Sequence, residues 1–180
     1  MKRFVHFITE SELKNSVSAY IAADYGGPNH DLRSSEGKHS DDWTKSLDAG
    51  MKPTRGAKVL HRGISGGALD ASSLKVGDVI KDHAYISTST NGGIASTFAA
   101  YKSGDDKPIV RMKIHAPAGT RTISVKQVLR GQHRHNKGED EHILARGTHL
   151  RVDKIEHRPP TEDNKHHFYH IHATVVHQEH

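Results

Sequence analysis

From residue 58 onward the sequence is a succession of short apolar runs of strand length, parted by glycine- and asparagine-bearing turns, and this rhythm limits what the chain can fold into. The clearest run is 109–116, where Ile109, Arg111 and Lys113 alternate with Val110, Met112 and Ile114, the period of a strand with one face buried. Shorter runs at 58–63, 76–80, 84–89, 120–125, 142–145, 150–157 and 168–176 read as further strands. Gly66-Gly67, Asn91-Gly92-Gly93 and the turn at 117–119 separate several of them. The first third has a different texture. Residues 9–23 read as a helix: Thr9 and Glu12 have capping-box spacing, and Leu13, Val17, Tyr20 and Ile21 recur at helical intervals. Gly26-Gly27-Pro28-Asn29 stops it. Residues 28–42 are polar and read as a loop, and 41–49 as a short helix with Trp43 and Leu47 on its apolar face. Residues 94–101 form another short helix, 69–74 a helical turn and 127–138 a loop. A helix-first, strand-rich order of this kind is α+β with mostly antiparallel pairing. Short strands and long loops predict two small packed sheets behind N-terminal helices.

No internal repeat or linker divides the 180 residues, so one domain over 1–180 is expected, with a helical portion at 1–57 and a strand-rich portion at 58–180. The chain is apolar-poor, at 33% hydrophobic residues and a mean hydropathy of −0.72, which predicts a modest core under wide polar surfaces. The absence of cysteine excludes disulfides, thiolate metal sites and cysteine nucleophiles. No run approaches a membrane span, and the apolar stretch within 1–10 is too short and interrupted for a signal peptide. A cytoplasmic site of action without membrane partners is expected. The net charge of +5 is uneven: residues 1–57 are neutral, and 121–137 hold five Lys or Arg and no acid. That segment is either a solvated loop or a patch for phosphates of a dinucleotide or nucleic acid. Seven of the seventeen histidines lie in 157–180, and His170-x-His172 has zinc-ligand spacing, but no carboxylate partner stands beside it and no metal site is expected.

Three segments bring together residue types that carry chemistry. In Leu60-His61-Arg62-Gly63 an always-charged guanidinium ends an apolar strand, able to fork onto phosphate or carboxylate oxygens, and the following glycine allows close approach to the backbone. In Tyr85-Ile86-Ser87-Thr88-Ser89 the hydroxyls of Ser87 and Ser89 share a strand face and can orient a carboxylate. No Gly-x-Ser-x-Gly elbow surrounds Ser87, so it is not read as a nucleophile. In Glu139-Asp140-Glu141 the two glutamates point the same way on an extended chain, an arrangement suited to a glycosidic bond whose cleavage builds positive charge on a sugar. Taken singly, each segment also fits a surface residue, a hydroxyl-rich strand or an acidic turn.

Taken as an ordered set, with Ile143-Leu144-Ala145-Arg146-Gly147-Thr148 behind the acids, they resemble the R-S-E class of mono-ADP-ribosyltransferases over about residues 58–156. The resemblance implies an ADP-ribosyltransferase fold, NAD as co-substrate without a metal, and transfer of ADP-ribose to an arginine of a host target protein by a bacterial or phage effector. It implies that Arg62 holds an NAD phosphate, the Gly63 backbone reads the nicotinamide carboxamide, and Ser87, with Thr88 and Ser89, fixes Glu141 and shapes the NAD pocket. Glu141 would stabilise the oxocarbenium-like transition state, Glu139 would engage the acceptor, and Phe98 would pack near the nicotinamide or in the core of its helix. A glutamate two residues before the catalytic one goes with arginine acceptors in this family. The loop 126–137 departs from the family pattern, because it carries Arg130, His133, Arg134 and His135 where an aromatic is common. That departure leaves open an NAD glycohydrolase, transfer to nucleic acid, and, from another class, a non-catalytic basic nucleic-acid-binding module.

Overall fold

The computed structural model describes residues 8–22, 28–64, 68–101, 107–130 and 140–179. Three helices come first: α1 (Glu10–Ala22), α2 (Pro28–Ser34) and α3 (Asp42–Gly50). Strands β1 (Lys52–Pro53), β2 (Lys58–Ile64), β3 (Val79–Asp82) and β4 (Ile86–Ser89) follow, then helix α4 (Gly92–Tyr101). Strands β5 (Ile109–Ala116) and β6 (Arg121–Ser124), the single-turn helix α5 (Val125–Leu129), and β7 (Glu141–Leu144), β8 (Thr148–Arg158) and β9 (Phe168–Gln178) complete the chain. The fold is α+β, as expected. Among the described residues no helix is long and apolar enough to cross a membrane.

Capping fixes where two of the first helices begin. At α1 the Thr9 amide donates to Glu12 Oε2 at 2.7 Å while the Glu12 amide donates to Thr9 Oγ1 at 3.2 Å, so two donors at the helix start are satisfied reciprocally. Asp41 and Thr44 form the same box at α3. The two helices press together where Gly50 has no side chain: a Cβ there would stand 2.3 Å from Leu13 Cδ1. Trp43 Nε1 donates to the Ser16 carbonyl at 2.9 Å across the same contact. The expected loop over 28–42 contains α2 in its first half. Among the described side chains of that helix Leu32 alone is buried, so its sequence carries no stripe; burial of Leu32 and a two-pronged bond from Arg33 to Asp82, both contacts at 3.0 Å, hold it. Likewise α5 lies where extended chain and loop were expected, and is too short for a helical period to register. Residues 69–74 form turns without a helix.

The strands join in one nine-stranded sheet of order β1-β6-β7-β4-β2-β5-β9-β8-β3, where two separate sheets were expected. Pairing is antiparallel except for β5 with β9, which run parallel from Ile109 beside Phe168 to His115 beside Thr174. At the centre, β2 and β4 pair only at His61 opposite Ser89. The sheet is therefore continuous but narrow there, with four strands on one side and five on the other. Each half has its own core. Leu60, Met112, Ile114, Val152 and Ile171 of the larger half form one, joined by Ile86 of β4 and Leu144 of β7. Val17, Leu32, Leu47, Tyr85, Ile123 and Ile143 belong to the second, under the N-terminal helices. In β5 the expected alternation is realised, with Met112, Ile114 and Ala116 buried and Arg111, Lys113 and His115 exposed.

Candidate active site

The narrow centre of the sheet brings the three sequence segments together. Strand β4 lies between β2 and β7, and Ser89 is opposite both His61 and Glu141. Arg62 is the residue after His61, so arginine, serine and glutamate stand on three adjacent strands although 79 positions separate the first from the last, from 62 to 141.

The N-terminal helices close this centre with a tyrosine that no motif announced. Tyr20 of α1 makes a 2.8 Å hydrogen bond between its hydroxyl and Ser87 Oγ. Asn29 of α2 donates from Nδ2 to the Tyr20 oxygen at 3.2 Å, and its own Oδ1 accepts from the Tyr85 amide at 3.2 Å. Burial pushes the Tyr20 hydroxyl's pKa above its ordinary value; the Ser87 and Asn29 bonds oppose that shift, the Glu141 carboxylate adds to it and the Arg62 guanidinium works against it. Both charges therefore reach the phenol, and Tyr20 keeps its proton at neutral pH. In the sequence Tyr20 is simply one member of an apolar helical stripe, and only the docking of α1 onto β4 makes it part of the site.

The other expected residues occupy distinct places. Thr88 faces inward, 4% exposed, with its hydroxyl donated to the His142 carbonyl at 2.6 Å, which locks β4 to β7. Ser89 is buried and its Oγ accepts from the Asn91 amide at 3.0 Å, tying the end of β4 to the start of α4. Asp140 points its carboxylate at the Thr90 hydroxyl, 3.1 Å away. Phe98 sits on α4, partly exposed. Glu139 and residues 131–138 of the basic loop lie outside the described residues. In the described part of that segment both arginines have internal partners: Arg121 donates to the Asp48 carbonyl at 2.9 Å, and Arg130 pairs with Glu10 at 3.0 Å.

Gly63 is required by its own neighbours. A Cβ at this position would stand 2.0 Å from the Ala95 carbonyl oxygen and 2.5 Å from the Ala99 amide nitrogen, so the backbone of α4 rests directly on β2. The Gly63→Ala variant is expected to lose about 1–3 kcal/mol through overpacking against backbone that cannot rotate away. A thermal melt would show a midpoint lowered by roughly 3–10 °C for a domain of this size. An unchanged midpoint would mean that α4 does not rest on β2.

The three strands that carry arginine, serine and glutamate fall within or beside one matched stretch of chain. The ADP-ribosyltransferase exoenzyme model matches residues 63–178, well over half of the chain. The chain belongs to the ADP-ribosyltransferase exoenzyme family. Members of this family use NAD as substrate. The fold agrees with solved toxins at low identity. Plx2a, an ADP-ribosyltransferase toxin from Paenibacillus larvae, superposes with a TM-score of 0.63 at 20% identity over 94% of this chain and 88% of that one. Exoenzyme S from Pseudomonas aeruginosa, in complex with human 14-3-3 protein beta and bound to Carba-NAD, gives 0.64 at 16% identity over 96% and 76%. The Vis toxin, an ADP-ribosyltransferase from Vibrio splendidus, gives 0.60 at 17% identity over 98% and 77%. No curated protein sequence matches the chain.

Proposed function

We propose that this ADP-ribosyltransferase transfers ADP-ribose from NAD to an arginine of a host target protein at the centre formed by β2, β4 and β7. The observation that carries the reading is the Tyr20–Ser87 hydrogen bond, to which the charges of Arg62 and Glu141 both reach. Arg62 binds a phosphate of NAD, and the Gly63 backbone, with Phe98 nearby on α4, receives the nicotinamide. Asn29 already donates to the Tyr20 oxygen, so the phenol proton is available to Ser87 Oγ. The Ser87 proton is then available to Glu141, which fixes the carboxylate in one orientation. Thr88 and Ser89 hold β4 in register through their bonds to His142 and Asn91 and so shape the pocket wall.

In the reaction the bond from ribose C1′ to the nicotinamide nitrogen breaks, and its electron pair leaves with nicotinamide. The positive charge that builds on the ribose is met by the Glu141 carboxylate, which also accepts from the 2′-hydroxyl. An arginine nitrogen of the target then bonds to C1′ and gives up a proton. Guanidinium holds its protons tightly, so a carboxylate beside the acceptor is needed, and Glu139 has that role.

The test is to incubate the protein with NAD and a host lysate and to identify the modified residue by mass spectrometry. Arginine adducts are expected. Adducts confined to other side chains or to nucleic acid would reject the arginine assignment, and nicotinamide release without any adduct would leave a glycohydrolase. The Glu139→Gln variant is expected to keep NAD cleavage and lose arginine transfer. Equal loss of both would reject the division of labour between Glu139 and Glu141.

A further inference from the structure

A concave site lies on the part of the sheet flanked by α4. It is a groove of about 570 Å³ whose walls are α4 on one side and the turn after β8 on the other. None of Tyr20, Arg62, Ser87 or Glu141 lines it, so it is separate from the NAD-cleaving centre. Strand pairing builds its floor: Arg111 of β5 is opposite Gly63 and His170, and His170 is opposite Glu156. At one end Phe168 is opposite Arg158, and His61 stands beside Gly92 at the start of α4.

The charges in this groove are unbalanced. The one carboxylate in the lining, Glu156, is already paired with Lys154, whose Nζ is 2.5 Å away. Arg111 and Arg158 are both exposed, and among the described residues neither has an ion pair. Burial first and then Lys113 lower the pKa of His61, while burial and His172 lower that of His170 against the opposing pull of Glu156, so near neutral pH both are uncharged rings able to donate and accept hydrogen bonds. The turn wall is held rigid by reciprocal backbone bonds between Thr161 and Asn164 at 2.8 and 3.2 Å. Asn164 Oδ1 accepts from the His166 amide at 3.1 Å, which leaves its Nδ2 donors directed elsewhere.

We propose that this groove binds a nucleoside phosphate, free or as one unit of a single strand. Two guanidinium groups with no ion pair among the described residues match phosphate oxygens. The Phe168 ring offers a stacking face, and neutral histidines with an asparagine amide suit the hydrogen-bonding edge of a base. The volume falls within the range of about 300–1,000 Å³ usual for small-molecule sites. An acidic peptide would use the arginines but would leave the ring and the neutral hydrogen-bonding groups without a function.

The test uses the whole protein, ADP as the free probe, a fluorescein-labelled oligothymidylate as the strand probe, and an oligoglutamate peptide and inorganic phosphate as controls. Arg111 and Arg158 are exposed, so the Arg111→Gln/Arg158→Gln double variant should fold, with an unchanged melting midpoint. It is expected to bind the preferred nucleotide probe at least tenfold more weakly, with NAD cleavage unchanged. If the strand is preferred, the salt slope of binding should flatten by about 1.4 on loss of two phosphate contacts. Saturation by ADP without competition from the oligomer identifies a free nucleotide, and the converse identifies a strand. Equal binding by wild type and double variant overturns the proposal. So does oligoglutamate or inorganic phosphate binding as tightly as either nucleotide probe, and so does absence of binding by both. Because NAD cleavage is read separately, failure here leaves the arginine-transfer reading untouched.

Discussion

Replacing Glu141 with glutamine is expected to lower NAD cleavage by roughly 10³-fold while leaving the fold and NAD affinity nearly intact. The substitution keeps the shape of the side chain but removes its charge and turns one accepting oxygen into an NH2 donor, leaving a single carbonyl oxygen to accept. Uncharged, it has little consequence for neutral ribose in the ground state. It matters when positive charge appears on the sugar, because only there does a carboxylate bind the reacting centre more tightly. Loss of one preorganised electrostatic partner typically costs about 10²–10³-fold in rate, and here the lost partner carries a full charge. Single-turnover release of nicotinamide, with a parallel binding titration, separates the two effects. A variant within tenfold of the wild-type rate would exclude Glu141 as the group that meets the developing charge.

The second large effect is structural. Asp48 at the end of α3 binds Arg146 of the β7–β8 turn through contacts of 2.9 Å from Nε and 2.6 Å from Nη2 to Oδ2. It also accepts from the Tyr85 hydroxyl at 2.6 Å. Arg146 spends its remaining donors on the Gly37 and His39 carbonyls at 2.6 and 3.3 Å. Burial opposes the guanidinium charge, but the Asp48 hydrogen bond and charge outweigh it, and Arg146 is held above its ordinary pKa. One salt bridge thus pins the N-terminal helices to the strand that bears Glu141. Asp48→Ala would leave Arg146, only 8% exposed, as a nearly buried charge without its carboxylate. Breaking such a pair from one side costs about 3–5 kcal/mol. The expected thermal midpoint is lower by roughly 10 °C or more. Tyr20 is carried on α1, which packs on α3, so activity should fall with the fold. A loss below about 1 kcal/mol, the range of an exposed ion pair, would show that this bridge does not hold the two parts together.

Much of this molecule was legible locally. Thr9 with Glu12 marked the start of α1, the alternation across Ile109–Ala116 marked β5, and Arg62, Ser87 and Glu141 stood out as chemistry-bearing residues on short strands. What escaped was whatever depends on distant partners. Helix α2 buries Leu32 and is held by Arg33 reaching Asp82, partners far off in the chain, so its seven residues look like loop. The parallel pairing of β5 with β9 and the joining of two half-sheets at the single pair His61–Ser89 are choices among registers, and alternation alone does not choose among them.

The same division runs through the site. The sequence by itself determined the order and kind of the reactive groups, because guanidinium, hydroxyl and carboxylate are properties of side chains wherever they lie. Only the tertiary structure decided that β4 sits between β2 and β7, that Tyr20 and Asn29 complete the Ser87 hydrogen-bond chain, and that Gly63 makes room for the backbone of α4. Those facts follow from burial of two cores and pairing of strands far apart in the chain, and no local pattern encodes a contact between elements it does not contain.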